Sequence, residues 1–340
     1  MKQKQHTMNS WKCGTIEMRV LMITSEWPTS ERPHAVPFIV RQVENLRAAD
    51  VEVDVFPFRG NKQIFNYLQA RNEVRRLIHQ RDFDVIHAQW GQSALLALPK
   101  TKPLVVTFRG DDVHGIVGKK NHQTLTGLVL TMISRYMAHI ADERIVVARD
   151  LAFKLGINDY HVIPSGIDLE KFHPVEKRQA RHILSLPEGE LVLFAGDKSN
   201  PRKRFSLIEQ AVNLAKNEIP NLDLVAADQV PHEIIPLYMS ACDVLLLASV
   251  HEGSPNVVKE ALACNLPVVS TDVGDVRERI DSIEGCVICD DDKPETLAAG
   301  ILFVLSHKKR VDGRKTVIEL DEIALTQKLI SVYKKALGEV

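Results

Sequence analysis

From residue 19 onward, short apolar runs alternate with longer segments of helical period, and the alternation occurs twice. Residues 19–24 are apolar and end at the turn-prone Trp27-Pro28-Thr29-Ser30, after which a helical pattern runs from Pro37 to Ala48. Residues 51–55 alternate with period two, and apolar runs at 84–88, 104–108 and 144–147 follow with helical segments between them. Buried strands separated by helices predict a parallel sheet covered on both faces. The rhythm restarts at 191–195 and continues through 222–226, 243–247, 267–270 and 286–288, predicting a second α/β unit. Breakers gather at Pro164-Ser165-Gly166-Ile167-Asp168, with Pro174 beyond, and mark the joint. The expected division is a disordered leader at 1–17, a first Rossmann-like domain at 18–170, a second at 171–321 and an amphipathic terminal helix at 322–340. Two doubly wound domains in tandem put the carboxyl ends of two sheets around one cleft, so function is sought in the loops after strands.

A length of 340 residues with 45 % hydrophobic composition suits two buried cores. A net charge of −1 argues against a protein that wraps nucleic acid. No run approaches the roughly 20 apolar residues that span a bilayer, and the leader, with Lys2, Lys4 and Lys12, lacks the core of a signal peptide. A cytoplasmic location is expected. Five scattered cysteines (13, 242, 264, 286, 289) suit reduced thiols. The charge is uneven, however: residues 1–170 carry a net +4 and residues 171–340 a net −5. Much of the basic excess falls on a predicted helix at roughly 62–81, with Lys62, Arg71, Arg75, Arg76 and Arg81, and on Lys119 and Lys120. This is either a solvated face or one that rests on anionic lipid at the inner face of a membrane. Segment 124–141 is apolar enough to touch lipid, with a buried helix packed on the sheet as the preferred reading.

Several chemistries are disfavoured. Gly-x-Gly-x-x-Gly follows neither opening strand, and Gly115 to Lys120 has the wrong spacing for a phosphate loop of the Walker type. Cys286-Val287-Ile288-Cys289 has no second pair, and residues three apart on a strand point to opposite faces, so structural thiols are expected there. Asp290-Asp291-Asp292 precedes a helix, and Asp292 is expected to cap it with Glu295 at the third helical position. No metal or cofactor is expected.

The informative stretch runs from Ala248 to Cys264. A strand ends in a loop with a carboxylate and a glycine, and a helix then begins with Pro255 near its first position. Amides from about Gly253 to Val258 would be donors at a positive dipole end, where a diphosphate can sit. Glu252 and Glu260 would frame that pocket; alternatively Glu252 caps the helix and Glu260 is solvated. After the strand at 191–195, the loop 196–204 carries Lys198, Arg202, Lys203 and Arg204, which can neutralise phosphate oxygens as a leaving group departs.

With seven residues between Glu252 and Glu260, and with Gly253, Pro255 and Asn256, this segment resembles the donor-site signature of the family 4 retaining glycosyltransferases of GT-B fold. Asp84 to Trp90, Val106 to Val113, Val162 to Asp168, Pro201 to Lys203 and Pro267 to Gly274 are also similar to that family, in order and in phase with the strands. The resemblance covers residue 19 to the end. It implies a UDP- or other nucleotide-sugar held mainly by the second domain and a glycan or lipid-linked acceptor held mainly by the first. Arg202 and Lys203 would hold the diphosphate, Glu260 the ribose and Glu252 the transferred sugar, with Gly253, Ser254, Pro255, Asn256 and Val257 completing the site. The terminal helix would cross back to the first domain. Two departures stand out: His34-Ala35-Val36-Pro37 replaces a glycine pair, and Arg109 replaces a histidine. Arg109 either contacts the ligand as a catalytic-site cation, binding an acidic sugar or the phosphate, or pairs with Asp111 or Asp112. His87 and Asp111 are candidate acceptor-side residues; alternatively His87 is only a packed or hydrogen-bonded residue at its strand end. A sugar-nucleotide epimerase of the same fold, or a catalytically silent subunit, are the alternative functions. The reading requires the cations and acids to face the gap and not to be consumed in salt links among themselves.

Overall fold

All ten predicted apolar runs form strands, because each supplies the β-branched and leucine side chains that fill both faces of a sheet. The computed structural model describes residues 18–33, 35–59, 63–116 and 123–339. The expected leader, Lys62, Lys119, Lys120 and His34 lie outside the described residues. The first sheet contains β1 (Met18–Thr24), β2 (Val51–Pro57), β3 (Val85–Gln89), β4 (Leu104–Phe108), β5 (Glu143–Val146) and β6 (His161–Val162), in the order β2-β1-β3-β4-β5-β6. The second contains β7 (Glu190–Ala195), β8 (Leu222–Ala227), β9 (Val244–Leu247), β10 (Val268–Thr271) and β11 (Val287–Cys289), in the order β11-β10-β9-β7-β8. Every pairing is parallel; Val20, for example, lies opposite Val53 on one side and Val85 on the other. The edge strand β6 escapes the sequence pattern because two residues show no period.

Alternate residues sort to opposite faces, so each sheet carries two cores. On one face of the first sheet Leu21, Ile23, Ile86 and Val106 meet Val74 and Met137. On the other, Val20, Met22 and Val85 meet Ile39, Val43 and Leu46 of the helix Pro37–Ala48 and Leu329, Val332 and Tyr333 of the helix Glu322–Leu337. The terminal helix therefore packs on the first sheet although it follows the second in sequence. Asp321 starts it, its carboxylate accepting from the amides of Ile323 (2.9 Å) and Ala324 (3.3 Å), and Gly338 ends it at φ 76°.

The chain crosses between the halves twice, and the crossings touch. Ile167 N donates to Leu320 O at 2.9 Å and Glu322 N to Ile167 O at 3.3 Å. Arg41, on the helix Pro37–Ala48, ties both crossings together through Glu322 (Nε to Oε2, 2.7 Å) and Asp168 (2.8 Å). In both sheets the strand order reverses, between β1 and β3 and between β7 and β9, and a crevice opens beyond the carboxyl ends at such a point.

Candidate active site

Loops at the carboxyl ends of seven strands close around a cavity of about 470 Å³, with Val147 after β5 and Ser165 after β6 among the lining residues. Ser25, Glu26 and Val36 follow β1, Trp90 and Gln92 follow β3, and Arg109 to Asp112 follow β4. Arg202 and Lys203 follow β7, and Glu252 to Val257 follow β9. Both reversal points thus open into one space, of a size that suits a small ligand.

The second-half wall is built by two short, well-tied turns. Asn200 accepts the amide of Arg202 at 3.1 Å, and Val250 N donates to Arg202 O at 2.9 Å, which fixes the cationic loop against the β9 loop. Arg202 Nη1 then donates to Glu252 Oε2 at 2.5 Å and Lys203 Nζ to Glu252 Oε1 at 2.6 Å. Burial by itself raises the pKa of Glu252, but the two cations outweigh it and hold the carboxyl at about 2. The helix Asn256–Ala263 begins directly after Pro255, which takes the N-cap position, near the first position as expected. In its first turn Val258 N donates to Pro255 O at 3.2 Å, and the Asn256 Oδ1 is buried without a hydrogen bond. Ser254 Oγ donates to Asp275 at 2.8 Å, holding the turn that carries Gly253.

The expectation that both cations stand clear of salt links is corrected here. Arg202, Lys203 and Glu252 all line the gap, yet they are joined to one another, with Asp111 of the first half 3.6 Å from Arg202 Nε. A desolvated cation costs several kcal/mol without an anion, and Glu252 is the anion within reach of both. The group is two cations on one buried carboxylate, still cationic by one unit, with the exposed Asp111 at its rim. Of the four loop cations, two turn elsewhere. Arg204 bonds the carbonyls of Ala248 and Ser249 and pairs with Asp292, and Lys198 lies over the Phe205 ring at 5.1 Å. Asp292 consequently does not cap the helix Pro294–His307; Lys293 occupies that position, and its amide bonds Asp291 at 3.1 Å.

Two further sequence expectations need correction. His87 lies inside the first sheet, its ring nitrogens bonded to Tyr333 Oη (2.7 Å) and Thr107 Oγ1 (2.8 Å), and contributes no surface to the cavity. A histidine on a strand was placed by its position near the strand end, but side-chain alternation points it into the core. Glu260 does not share the main cavity with Glu252. It lines a small adjoining one of about 30 Å³ with Lys171, Phe172 and His232, whose Nε2 is 2.9 Å from Glu260 Oε1, and Asn256 borders both spaces. Neither a solvated Glu260 nor a helix-capping Glu252 is found, since both are buried.

Arg109 pairs with neither Asp111 nor Asp112. Asp112 spends its oxygens on the amides of Gly91, Arg109 and Gly110 at 2.9 to 3.1 Å, shaping the loop. The guanidinium instead donates to Gln89 Oε1 (2.9 and 2.7 Å) and Ser165 Oγ (3.0 Å), with its Cζ over the Phe38 ring. Val36, in the loop where the glycine pair is missing, lines the cavity in a left-handed conformation (φ 43°, ψ 54°) that strains a β-branched residue.

Sequence reasoning missed Lys259, Gln89 and Ser165. Lys259 Nζ is fully buried and donates to Ser165 O at 2.9 Å, latching the second half's helix to the crossing segment. Its signal was a cation, next to Glu260, inside the otherwise apolar run 257–263. Also missed was the stack of His114, from the first half, on His251, from the second, with ring centroids 4.8 Å apart. Burial first, then neighbouring cations, pushes both imidazoles down to about 4, and burial pushes His87 to about 3. The unfolded chain binds protons at these sites near pH 6.5, so stability is full above that pH and is lost as pH falls toward 4. Glu252, with its depressed pKa, adds a further loss only between about 4.5 and 2. A midpoint of thermal unfolding that declines between pH 6.5 and 4.5 is expected, and His114→Phe with His251→Phe should flatten that decline.

The model of "Glycosyltransferase Family 4" matches residues 17–171, and that of "Glycosyl transferases group 1" matches residues 180–307. A putative teichuronic acid biosynthesis glycosyltransferase, TuaC of Bacillus subtilis, is 27 % identical over 328 residues, covering 76 % of this chain and 82 % of its own. Among solved structures, the sucrose-phosphate synthase of Thermosynechococcus elongatus superimposes with a TM-score of 0.78 at 16 % identity, over 95 % of this chain and 100 % of that one. Anabaena HepE in complex with UDP-glucose gives 0.68 at 15 % identity, over 94 % and 100 %. Two family models that tile both halves in order, on a pair of parallel sheets whose reversal points face one cavity, establish that the chain belongs to the family 4 glycosyltransferases of GT-B fold.

Proposed function

We propose that this glycosyltransferase moves a sugar from a nucleotide-sugar, a UDP-sugar, to a lipid-linked or polysaccharide acceptor in cell-surface glycan synthesis, with retention of configuration and no metal. One observation carries the reading: Arg202 and Lys203 share a single buried carboxylate beside the first turn of the helix Asn256–Ala263. A diphosphate offers more negative charge than Glu252 and matches both the arginine fork and the lysine point charge. It would take the cations from Glu252, whose freed carboxylate would then meet the sugar hydroxyls. The same cations and the helix dipole would stabilise the diphosphate as it leaves, without the help of a metal ion. Glu260, in the adjoining cavity, would hold the ribose, and Asp111 would face the acceptor. The UDP-glucose in the HepE complex and the teichuronic acid pathway in the name of TuaC favour this donor and acceptor class.

The acceptor reading is supported by an unusual helix. No helix among the described residues is long and apolar enough to cross a membrane. In the helix Leu125–Ile140, one face packs through Met137 and Ala138, as expected, but Leu125 (79 % exposed), Leu128, Val129, Met132 and Tyr136 form a second apolar face in solvent. Leu130 of this helix lines the cavity. A surface that rests on anionic lipid at this face would bring a lipid-linked acceptor to the site.

The deciding experiment is a thermal-shift and calorimetry panel of UDP-, GDP- and ADP-sugars, followed by transfer of radiolabelled sugar to membrane-derived acceptor. One ligand class should raise the unfolding midpoint. Arg202→Ala and Lys203→Ala should each weaken its binding by about tenfold or more, and chelator should leave transfer intact. Unchanged binding in both variants, or release of sugar only as an isomerised nucleotide-sugar, would remove the reading.

A further inference from the structure

Arg109 is a cation that the fold supports without neutralising. Its guanidinium carries five N–H donors. Three are directed, two onto Gln89 Oε1 and one onto Ser165 Oγ, and both acceptors are neutral. Gln89 is itself held, its Nε2 donating to Gln42 Oε1 at 2.8 Å, so its oxygen stays turned toward the arginine. Phe38 covers one side of the plane at 4.8 Å. Arg109 forms no ion pair among the described residues. Asp112, the one carboxylate whose charge acts on it appreciably, has its oxygens engaged by three backbone amides. Burial accordingly lowers the guanidinium pKa to about 10.

Such a side chain is costly unless an anion completes it. Two N–H groups remain undirected, and the residue lines the main cavity. A planar fork with two free donors fits a planar, two-oxygen anion best. The diphosphate of the donor already has its own cations on the opposite wall, where Arg202 and Lys203 meet at Glu252. The ligand part that reaches Arg109 is therefore something other than diphosphate.

We propose that Arg109 is a specificity-determining residue that binds the carboxylate of a hexuronate, so that this enzyme handles an acidic sugar in preference to a neutral one. The proposal rests on the glycosyltransferase reading above and narrows its substrate class. Gln89 and Ser165 orient the guanidinium, and Lys259 orients Ser165 through its carbonyl. A neutral hexose in the same place would leave the cation unmatched.

The test is calorimetry on the full chain with UDP, UDP-glucose, UDP-glucuronate, UDP-galacturonate, and free glucuronate added to the UDP complex. Wild type is expected to bind one of the UDP-uronates at least about tenfold more tightly than UDP-glucose. Arg109→Met, and Arg109→Gln as a second variant, should erase that preference while leaving the affinity for UDP unchanged. If free glucuronate binds the UDP complex in an Arg109-dependent way and the UDP-uronates show no preference, the carboxylate pocket stands and belongs to the acceptor. Equal binding of neutral and acidic sugars in every arm overturns the proposal while UDP binding keeps the broader reading intact. Loss of UDP affinity in both variants overturns it too, because Arg109 would then be a diphosphate ligand. No binding of UDP or of any UDP-sugar removes the UDP-sugar donor reading first, and this proposal with it.

Discussion

Glu252→Ala is expected to lower the turnover of sugar transfer by about 10²- to 10³-fold and, at the same time, to tighten the binding of UDP. The two effects have opposite signs because Glu252 occupies two roles in sequence. In the structure it neutralises Arg202 and Lys203 at 2.5 and 2.6 Å, and its pKa of about 2 shows how strongly the pair holds it ionised. A ligand diphosphate must displace that carboxylate, so deleting it removes a competitor. The deletion also leaves two partly buried cations facing each other, which costs the folded protein on the order of 3–5 kcal/mol. The variant should therefore melt earlier by itself and recover most of that loss when UDP is added. Turnover falls for a separate reason. Once displaced, Glu252 is the acid placed to hold the transferred sugar, and a loss confined to that step lowers kcat with little rise in KM. Glu252→Gln keeps the shape and removes the charge, and should show the same split in milder form. Calorimetry with UDP beside steady-state transfer kinetics measures both. A variant that binds UDP more weakly and turns over normally would mean that Glu252 serves the diphosphate site alone.

How much of this site could be read from residues alone follows from the range of the interactions. Strand positions were legible because Val20, Val53 and Val85 belong to runs whose period is local. The cleft was legible for the same reason: loops after parallel strands share one edge, so Arg202 and Glu252 had to meet somewhere near it. What could not be read was which polar group answers which. Arg109 has two aspartates within three residues, and proximity in sequence suggests an ion pair. The loop instead turns Asp112 onto its own backbone and leaves the guanidinium to Gln89, twenty positions away, and Ser165, fifty-six away. His87 failed similarly, since its partner Tyr333 lies on the helix that returns from the far end of the chain. Lys259 was hidden because its acceptor is a backbone carbonyl, which no side-chain motif encodes.

Gly253→Ala should reduce kcat/KM by about 100-fold or more with a much smaller effect on nucleotide binding, because the glycine sets how closely the two halves approach. A Cβ there would lie 2.1 Å from the carbonyl oxygen of Arg109 and 2.8 Å from Val147 Cγ2, both in the first half. The opposing surface is also glycine: Gly110, at φ +136°, would carry a Cβ 3.0 Å from Gly253 N. Gly274, at φ +58°, closes the third side, its Cβ position 2.0 Å from Gly253 O. Backbone cannot yield as a flexible side chain would, so one methyl must push the halves apart or distort the turn that carries Glu252. Either way Arg109, across the gap, shifts relative to Glu252 and the first-turn amides. Displacements of about 1 Å between reacting groups are enough for the expected loss. The diphosphate contacts proposed for Arg202 and Lys203 of the second half should survive. Gly156→Ala is the control: nothing lies within 4 Å of its Cβ position, although its left-handed φ of +74°, unlike the backbone of Gly253, strains the substitution. It should cost about 1 kcal/mol in stability and leave transfer unchanged. If both substitutions lower turnover equally, a general loss of stability explains the fall; if Gly253→Ala alone does so while UDP still binds, the contact of Gly253 with Arg109 is what assembles the proposed donor site against the acceptor side.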